Sequence, residues 1–113
     1  MDNIVEIEKS RALMTVEITE YLSHSVVSKT IIKRLTGNIS VMAFDSGEGL
    51  AQKISPFDTY VQIIDGNAEI VIDSTSHLLE TGQSIIIPAH ASQLIKPNGR
   101  FKIISTVIKS GYE

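Results

Sequence analysis

The side chains best able to do chemistry lie in two segments in which glycines stand at fixed distances. In the first segment, five residues separate Gly47 from Lys53, and Ser55 follows two positions later. Three further residues lead to Thr59, and six more lead to Gly66. A lysine ammonium can hold an anion, and a lysine amine can form a Schiff base with a carbonyl compound. Serine and threonine hydroxyls both donate and accept hydrogen bonds, so they suit a site around such a group.

The second segment begins at Gly82 and reaches Pro88-Ala89-His90 after five residues, with Gln93 following after two more. The imidazole of His90 could act as a general acid or base, or could donate a hydrogen bond to a ligand. The alternative is a solvated loop histidine with no function. His24 and His77, the other two histidines, lie at predicted strand edges or turns and are interpreted as structural or exposed.

Both segments resemble the two motifs of the cupin family. The first cupin motif reads Gly, five residues, His-x-His, three or four residues, Glu, six residues, Gly. The second reads Gly, five residues, Pro-x-Gly, two residues, His. The resemblance covers roughly residues 26–108, most of the chain, and implies an all-β fold: the double-stranded β-helix of cupins, a jelly-roll barrel. The glycines and the proline match, and His90 stands where the family usually has glycine.

In cupins that bind metal, the ligands are the two His of the first motif, its Glu and the last His. Here those four positions hold Lys53, Ser55, Thr59 and Gln93. A protonated lysine has no lone pair for a metal, and the other three are weak neutral ligands. We therefore predict no metal and no cofactor at this place, and no catalytic residue is named. Lys53 instead offers its charge to an anion, or extends from the barrel mouth, or pairs with a nearby carboxylate.

The strand pattern supports the same fold. Short bursts of Ile, Val and Thr alternate with Gly, Pro, Asn, Asp and Ser, which predicts many short strands joined by tight turns. The predicted strands are Ser25–Arg34, Asn38–Phe44, Leu50–Ser55, Asp58–Ile64, Asn67–Asp73, His77–Glu80, Ser84–Ile87, Ala91–Lys96 and Arg100–Lys109. Asp65-Gly66 predicts a two-residue hairpin turn. If Lys53 points into the barrel, the residues on its face are Ser55, Phe57, Thr59, Val61 and Ile63, whereas Gln52, Asp58 and Tyr60 point outward.

The chain of 113 residues predicts one domain, with an N-terminal arm over residues 1–24 and a β-barrel over residues 25–110. Within the arm, Glu6–Met14 could form a short helix and Leu13–Ile18 an edge or swapped strand. Ile85–Ile87 and Phe101–Ile108 are apolar on both faces, so they need cover from the arm or from a second subunit. This indicates a homodimer, as is common for the small cupins that the chain resembles.

Composition limits the possible partners. The net charge is −3 without a basic run, which argues against nucleic acid, and no apolar stretch is long enough for a membrane helix. The absence of cysteine and of a signal-peptide pattern favours the cytoplasm. The leading hypothesis is a metal-free protein that binds or senses a small molecule, with Lys53, Ser55, Thr59, His90 and Gln93 as the site. The alternatives are an enzyme (an isomerase, lyase or dioxygenase relative with a non-standard site) and an interaction module whose pocket is filled by side chains such as Phe57.

Overall fold

A computed structural model describes residues 6–109, so residues 1–5 of the predicted arm and residue 110 of the predicted barrel lie outside the described part. Residues 6–109 form a single 3-10 turn, Thr15–Glu17, and nine strands. The strands are β1 (Val26–Arg34), β2 (Gly37–Phe44), β3 (Leu50–Ile54), β4 (Asp58–Asp65), β5 (Ala68–Ile72), β6 (Thr75–Leu79), β7 (Ser84–Ile87), β8 (Ser92–Ile95) and β9 (Phe101–Ile108). Each predicted strand is present with its ends within two residues of the prediction.

The strands form two antiparallel sheets packed face to face. Five strands make the first sheet in the order β1-β2-β9-β4-β7, and four make the second in the order β3-β8-β5-β6. Consecutive strands β2 to β5 therefore cross repeatedly from one sheet to the other. This arrangement is the predicted jelly-roll barrel, and the all-β fold class is confirmed.

Period-2 alternation fixes which side chains fill the barrel. Ala68 and Ile70 on β5 and Ile87 on β7 are buried, and so are Val61 and Ile63 on β4, which confirms the inner face predicted for β4. At one end of the barrel, the rings of Phe44 and Phe101 stack with 4.4 Å between their centroids. The buried core consists of Phe44, Val61, Ile63, Ala68, Ile70, Leu79, Ile87, Ile95, Phe101 and Ile103.

The other end of the barrel is not filled in the same way. Ser105 and Val107 share the inner face of β9 with Phe101 and Ile103, because successive inner residues lie two apart. Phe101 and Ile103 are buried, whereas Ser105 and Val107 are only half-buried. Since β9 is the middle strand of its sheet, this exposure comes from the barrel interior. The barrel is therefore closed by aromatic and aliphatic side chains at one end and open at the other, which we call the mouth.

The Asp65-Gly66 hairpin is a wrong prediction. β4 pairs with β7 and β9, while β5 pairs with β6 and β8, so Asp65-Gly66 joins the two sheets instead of two neighbouring strands. The positive φ expected of the glycine is present, at 72°. A Cβ at Gly66 would clash with the carbonyl oxygen of Arg100, so the turn needs glycine for its close approach as well. The two-residue hairpin turn occurs instead at Asp73-Ser74, where both φ angles are positive.

The arm contains neither the predicted helix over Glu6–Met14 nor the predicted strand over Leu13–Ile18. Tertiary contacts decide its path, since an isolated short helix is marginal in water. The amide of Ile7 donates to the carbonyl of Ile31, and the Glu6 carboxylate accepts from the amide of Lys33. These bonds hold the start of the arm against β1 in a non-helical conformation.

The later part of the arm covers the outer face of the five-stranded sheet. Lys102, on β9, is buried there, and its ammonium donates to the carbonyls of Val16 and Thr19 at 2.7 Å each. The Tyr21 ring lies over the same ammonium, and its hydroxyl donates to Asp65 at 2.6 Å. A buried charge needs such partners, so these bonds fix the arm to the barrel. Across residues 6–109, no helix is long and apolar enough to cross a membrane.

Candidate functional site

Lys53 and Gln93 lie directly opposite each other on the paired strands β3 and β8. Opposed residues share a face of the sheet, and Gln93 is buried on the inner face, so Lys53 belongs to the inner face as well. Lys53 is exposed, and it stands near the end of β3 that leads to Thr59, so it lies on the mouth side of the barrel. A bulge sets this direction, because β3 uses three steps between Leu50 and Lys53 where β8 uses two between Ile95 and Gln93.

Thr59 reaches the same end of the barrel from the facing sheet. It lies on β4 between Val107 of β9 and Ile87 of β7, and it is buried with 7% of its surface exposed. Gln93 is equally buried, at 7% exposed. Neither side chain forms a hydrogen bond within residues 6–109. The polar atoms of Thr59 and Gln93 are not among those that are unbonded and fully shielded from solvent. Both therefore present polar groups to the open interior.

Two loops form the rim beside Lys53, and hydrogen bonds join them. The amide of His90 donates to the carbonyl of Ser55 at 2.7 Å, and the amide of Ala89 donates to the carboxylate of Asp58 at 2.7 Å. The Ser55 hydroxyl accepts from the amide of Phe57, which leaves its own proton available to a ligand. The imidazole of His90 is exposed, and its φ of 69° is the left-handed conformation that the family's usual glycine would adopt without strain.

Three uncharged polar side chains of the interior did not enter the predicted site. Asn38 and Ser40 share the inner face of β2 with the core residue Phe44, and Ser40 lies directly opposite Ser105 of β9. All three are half-buried. With Thr59 and Gln93 they form what we call the polar band: Asn38, Ser40, Thr59, Gln93 and Ser105. Steps of two, backward from Phe44 and forward from Phe101, reach all three, but the prediction that Phe101–Ile108 is apolar on both faces hides Ser105.

The charges on the inner face are of one sign. In none of the nine described strands does an aspartate or glutamate occupy an inner-face position. Besides Lys53, Lys33, opposite Asn38, lies on the inner side of its sheet. His77 lies opposite the core residue Ile70, so it too is on the inner side and half-buried. The inner face therefore favours an anion over a cation. The rim also carries the Asp58 carboxylate, which accepts from the amide of Ala89.

A divalent metal does not fit this set of side chains. Residues 6–109 contain no group of three or more His, Cys, Asp or Glu side chains able to hold an ion together. The residues at the positions used by metal-binding cupins provide one cation without a lone pair and three neutral groups. Zinc, iron and manganese sites in proteins are built from imidazole, thiolate or carboxylate ligands. We therefore derive no chemistry through a metal.

An apolar groove of about 300 Å³ lies elsewhere, along the bulged edge of β3. It contains none of the predicted site residues and offers one polar side chain, Gln52. The residues that line it are Gly49, Leu50, Ala51, Gln52, Leu94, Ile95 and Pro97. The Gln52 amide donates to the hydroxyl of Ser92 at 2.6 Å, so this polar group already has a partner.

Comparison with solved structures shows which proteins share this architecture. A conserved protein of unknown function from Streptococcus pyogenes is 28% identical, with a TM-score of 0.87 over 96% of both chains. A cupin superfamily protein from Desulfitobacterium hafniense is 24% identical, with a TM-score of 0.85 over 95% of this chain and 98% of that one. A cupin 2 conserved barrel domain protein from Leptotrichia buccalis is 25% identical, with a TM-score of 0.80 over 83% of this chain and 46% of that one.

No protein-family model matches the sequence, and no curated protein matches it. The structural neighbours nevertheless agree with what the two glycine-spaced segments indicated. The resemblance to cupins and the barrel that it implied are confirmed.

Proposed function

We propose that this cupin binds a small anionic molecule in the mouth of its barrel. The observation that carries the proposal is the sign of the charge on the inner face: Lys53 is present there, and the described strands place no carboxylate on that face. Its ammonium forms no ion pair or hydrogen bond within residues 6–109, so it is open to a carboxylate or a similar anion. A hydrogen bond between an ammonium and a carboxylate is stronger than one between neutral groups.

The residues around Lys53 are suited to hold an anion in a fixed orientation. Gln93 lies beside it across the β3–β8 pair, and Thr59 faces it from the other sheet. Their donors can complete the hydrogen bonds of a carboxylate whose charge is neutralised by Lys53. Ser55 and His90 lie on the adjoining loops and can contact the ligand from the rim. The expected role is binding or sensing without chemical conversion.

A thermal-shift screen against small anions tests this proposal. We expect at least one carboxylate to raise the Tm of the wild-type protein, since a ligand at 100 times its Kd adds about 2.7 kcal/mol of stability. Lys53→Met keeps an apolar stem of similar length, removes the charge and should abolish the shift. Lys29→Met is the matched control, because Lys29 lies on the outer face of β1 opposite Val41.

Two results would count against the proposal. A wild-type protein that responds to no anion, together with a Lys53→Met variant that is simply more stable, would show that Lys53 is not a ligand-binding residue. Equal losses in Lys53→Met and Lys29→Met would show that net charge matters and the mouth does not. The enzymatic alternative stays a prediction, and conversion of a bound acid into a new product would establish it.

A further inference from the structure

The polar band continues deeper into the barrel than a carboxylate alone would reach. Thr59 lies in one row of inner-face residues with Val107 and Ile87, and Ser105 lies in the next row down. Two residues along a strand separate these rows, which is about 7 Å. Beyond Ser105, the same faces carry the buried core. Core residues share these rows, since Ile87 lies beside Thr59 and Val61 lies beside Ser105. On β4 and β9, polar inner side chains end at the row of Ser105, and only apolar ones follow toward the closed end.

The side chains of the polar band lack partners among the described residues. Within residues 6–109, no hydrogen bond involves the side chain of Asn38, Ser40 or Ser105, and the same holds for Thr59 and Gln93. Ser40 and Ser105 are directly opposed on neighbouring strands, yet no hydrogen bond joins their hydroxyls. Half-buried hydroxyls and amides must be satisfied by water or by a ligand, because leaving them unpaired costs free energy.

A ligand that fills this space must replace the water on every one of these groups. An aliphatic chain would displace that water and leave hydroxyls and amides unpaired. A chain bearing hydroxyls would satisfy them, since each hydroxyl can donate to an amide oxygen and accept from a serine or an amide nitrogen. Sites built to bond a hydroxyl discriminate strongly against analogues that lack it.

We infer that the ligand is a short hydroxylated carboxylate that lies end-on in the barrel. Its acid group lies at Lys53 and its hydroxyls lie along the polar band, with Ser40 and Ser105 at the inner end. The inference rests on the proposed anion site and adds the chemical class of the molecule that occupies it.

Calorimetric titration of the full chain with three probes tests this assignment. Gluconate and hexanoate share a chain length and a negative charge but differ in their hydroxyls, and sorbitol has the hydroxyls without the acid. We expect gluconate to bind at least about tenfold more tightly than hexanoate, and sorbitol to bind more weakly than gluconate.

Two serine variants identify the part of the barrel responsible. Ser105→Ala should weaken gluconate binding about three- to tenfold and leave hexanoate binding unchanged, which is the effect of one lost hydrogen bond. Ser40→Ala should act in the same direction and serves as the second variant if Ser105→Ala does not fold. Thr106→Val is the matched control, because Thr106 is the next residue of β9 and faces the outside, opposite Tyr60. It should change neither affinity.

The outcomes separate the inference from the function on which it rests. Equal binding of gluconate and hexanoate, both lost in Lys53→Met, would overturn the hydroxylated ligand and leave the anion site standing. Binding of sorbitol as tight as that of gluconate, insensitive to Lys53→Met but lost in Ser105→Ala, would overturn the anion site and leave hydroxyl recognition standing. Binding of none of the three probes, in a protein that unfolds cooperatively, would overturn both.

Discussion

At the scale of single residues, the chemistry proposed for the mouth depends on Lys53. The four positions that hold metal in metal-binding cupins contribute here a cation and three neutral groups, and no cluster of metal-binding side chains occurs in residues 6–109. The barrel geometry is retained, and the proposal is that its ligand is an anion instead of a metal.

The first prediction is that the protein takes up no stoichiometric metal. Incubation of untagged protein with Zn²⁺, Fe²⁺, Mn²⁺ or Ni²⁺, followed by elemental analysis, should leave far less metal than protein. The reason is that a protonated lysine cannot coordinate a metal ion, and the neighbouring oxygens are weak ligands. Tight uptake that disappears in Gln93→Ala would contradict this prediction.

The second prediction concerns the backbone of His90, whose φ of 69° is unfavourable for a residue with a Cβ. His90→Gly should raise the free energy of unfolding by about 1 kcal/mol, because glycine adopts this conformation without a steric cost. His77→Gly, within strand β6, should lower it by roughly 0.5–1 kcal/mol. Urea denaturation measures both. A His90→Gly protein less stable than wild type would show that contacts of the imidazole outweigh the strain.

At the scale of elements, we expect pH to affect the contact that Asp45 makes between the arm and the closed end of the barrel. Asp45 accepts from the amide of His24 at 2.7 Å and from Arg100 at 2.8 Å. These two hydrogen bonds lower the pKa of the Asp45 carboxyl from 3.8 to about 2, and the bond from the His24 amide has the larger effect. Since the folded pKa lies below the unfolded one, the stabilisation is present above about pH 4 and is lost as the pH falls toward 2.

The third prediction follows from this linkage. Wild-type protein should lose stability between pH 4 and pH 2 more steeply than Asp45→Asn, which cannot titrate at that position. The urea midpoint of both proteins, measured across this range, provides the comparison. Parallel curves for the two proteins would show that Asp45 does not contribute to acid unfolding.

The strands could be predicted from sequence because their signal is local. Branched residues and turn residues alternate at short range, so all nine strands were found. The partners of those strands could not be obtained in the same way. Asp65-Gly66 has the residues of a hairpin turn, yet the strands on either side of it belong to different sheets. Only long-range pairing decides between the two geometries.

The site shows the same division between local and long-range information. Motif spacing predicts that Lys53, Thr59 and Gln93 all lie on the inner face of the barrel, and the strand register agrees. The sequence carries no recognisable signal for the bulge in β3. The bulge nevertheless turns Lys53 to the same face as Leu50. The arm was mispredicted because its path depends on bonds to Lys33, Asp65 and Lys102, which lie far along the chain.

At the scale of the whole molecule, one apolar row stays exposed outside the five-stranded sheet. Strand register aligns its members across the outer face, where the arm covers only the part near Lys102. Ile86 is 65% exposed and Tyr60 is 39% exposed. The row, which we call the outer row, consists of Ile32, Ile39, Thr106, Tyr60 and Ile86. A second copy of the chain, related by a two-fold axis, could cover it with the same row.

The fourth prediction is therefore a homodimer formed through the outer row. Sedimentation at micromolar concentration should show a dimer for the wild-type protein and a monomer for Ile86→Lys, which places a charge within the apolar contact. Leu78→Lys is the matched control, because Leu78 is 77% exposed on the other sheet. It should leave the dimer intact. A monomeric wild-type protein at that concentration would contradict the prediction.

The most direct test of the anion site is a crystal structure of the protein with the tightest-binding carboxylate from the thermal-shift screen. The account predicts a carboxylate oxygen within hydrogen-bond distance of the Lys53 ammonium, at about 2.7–2.9 Å, with the remainder of the molecule directed into the barrel beside Gln93 and Thr59. A carboxylate bound on the outer face of the barrel, with the mouth filled by side chains of the protein, would contradict it.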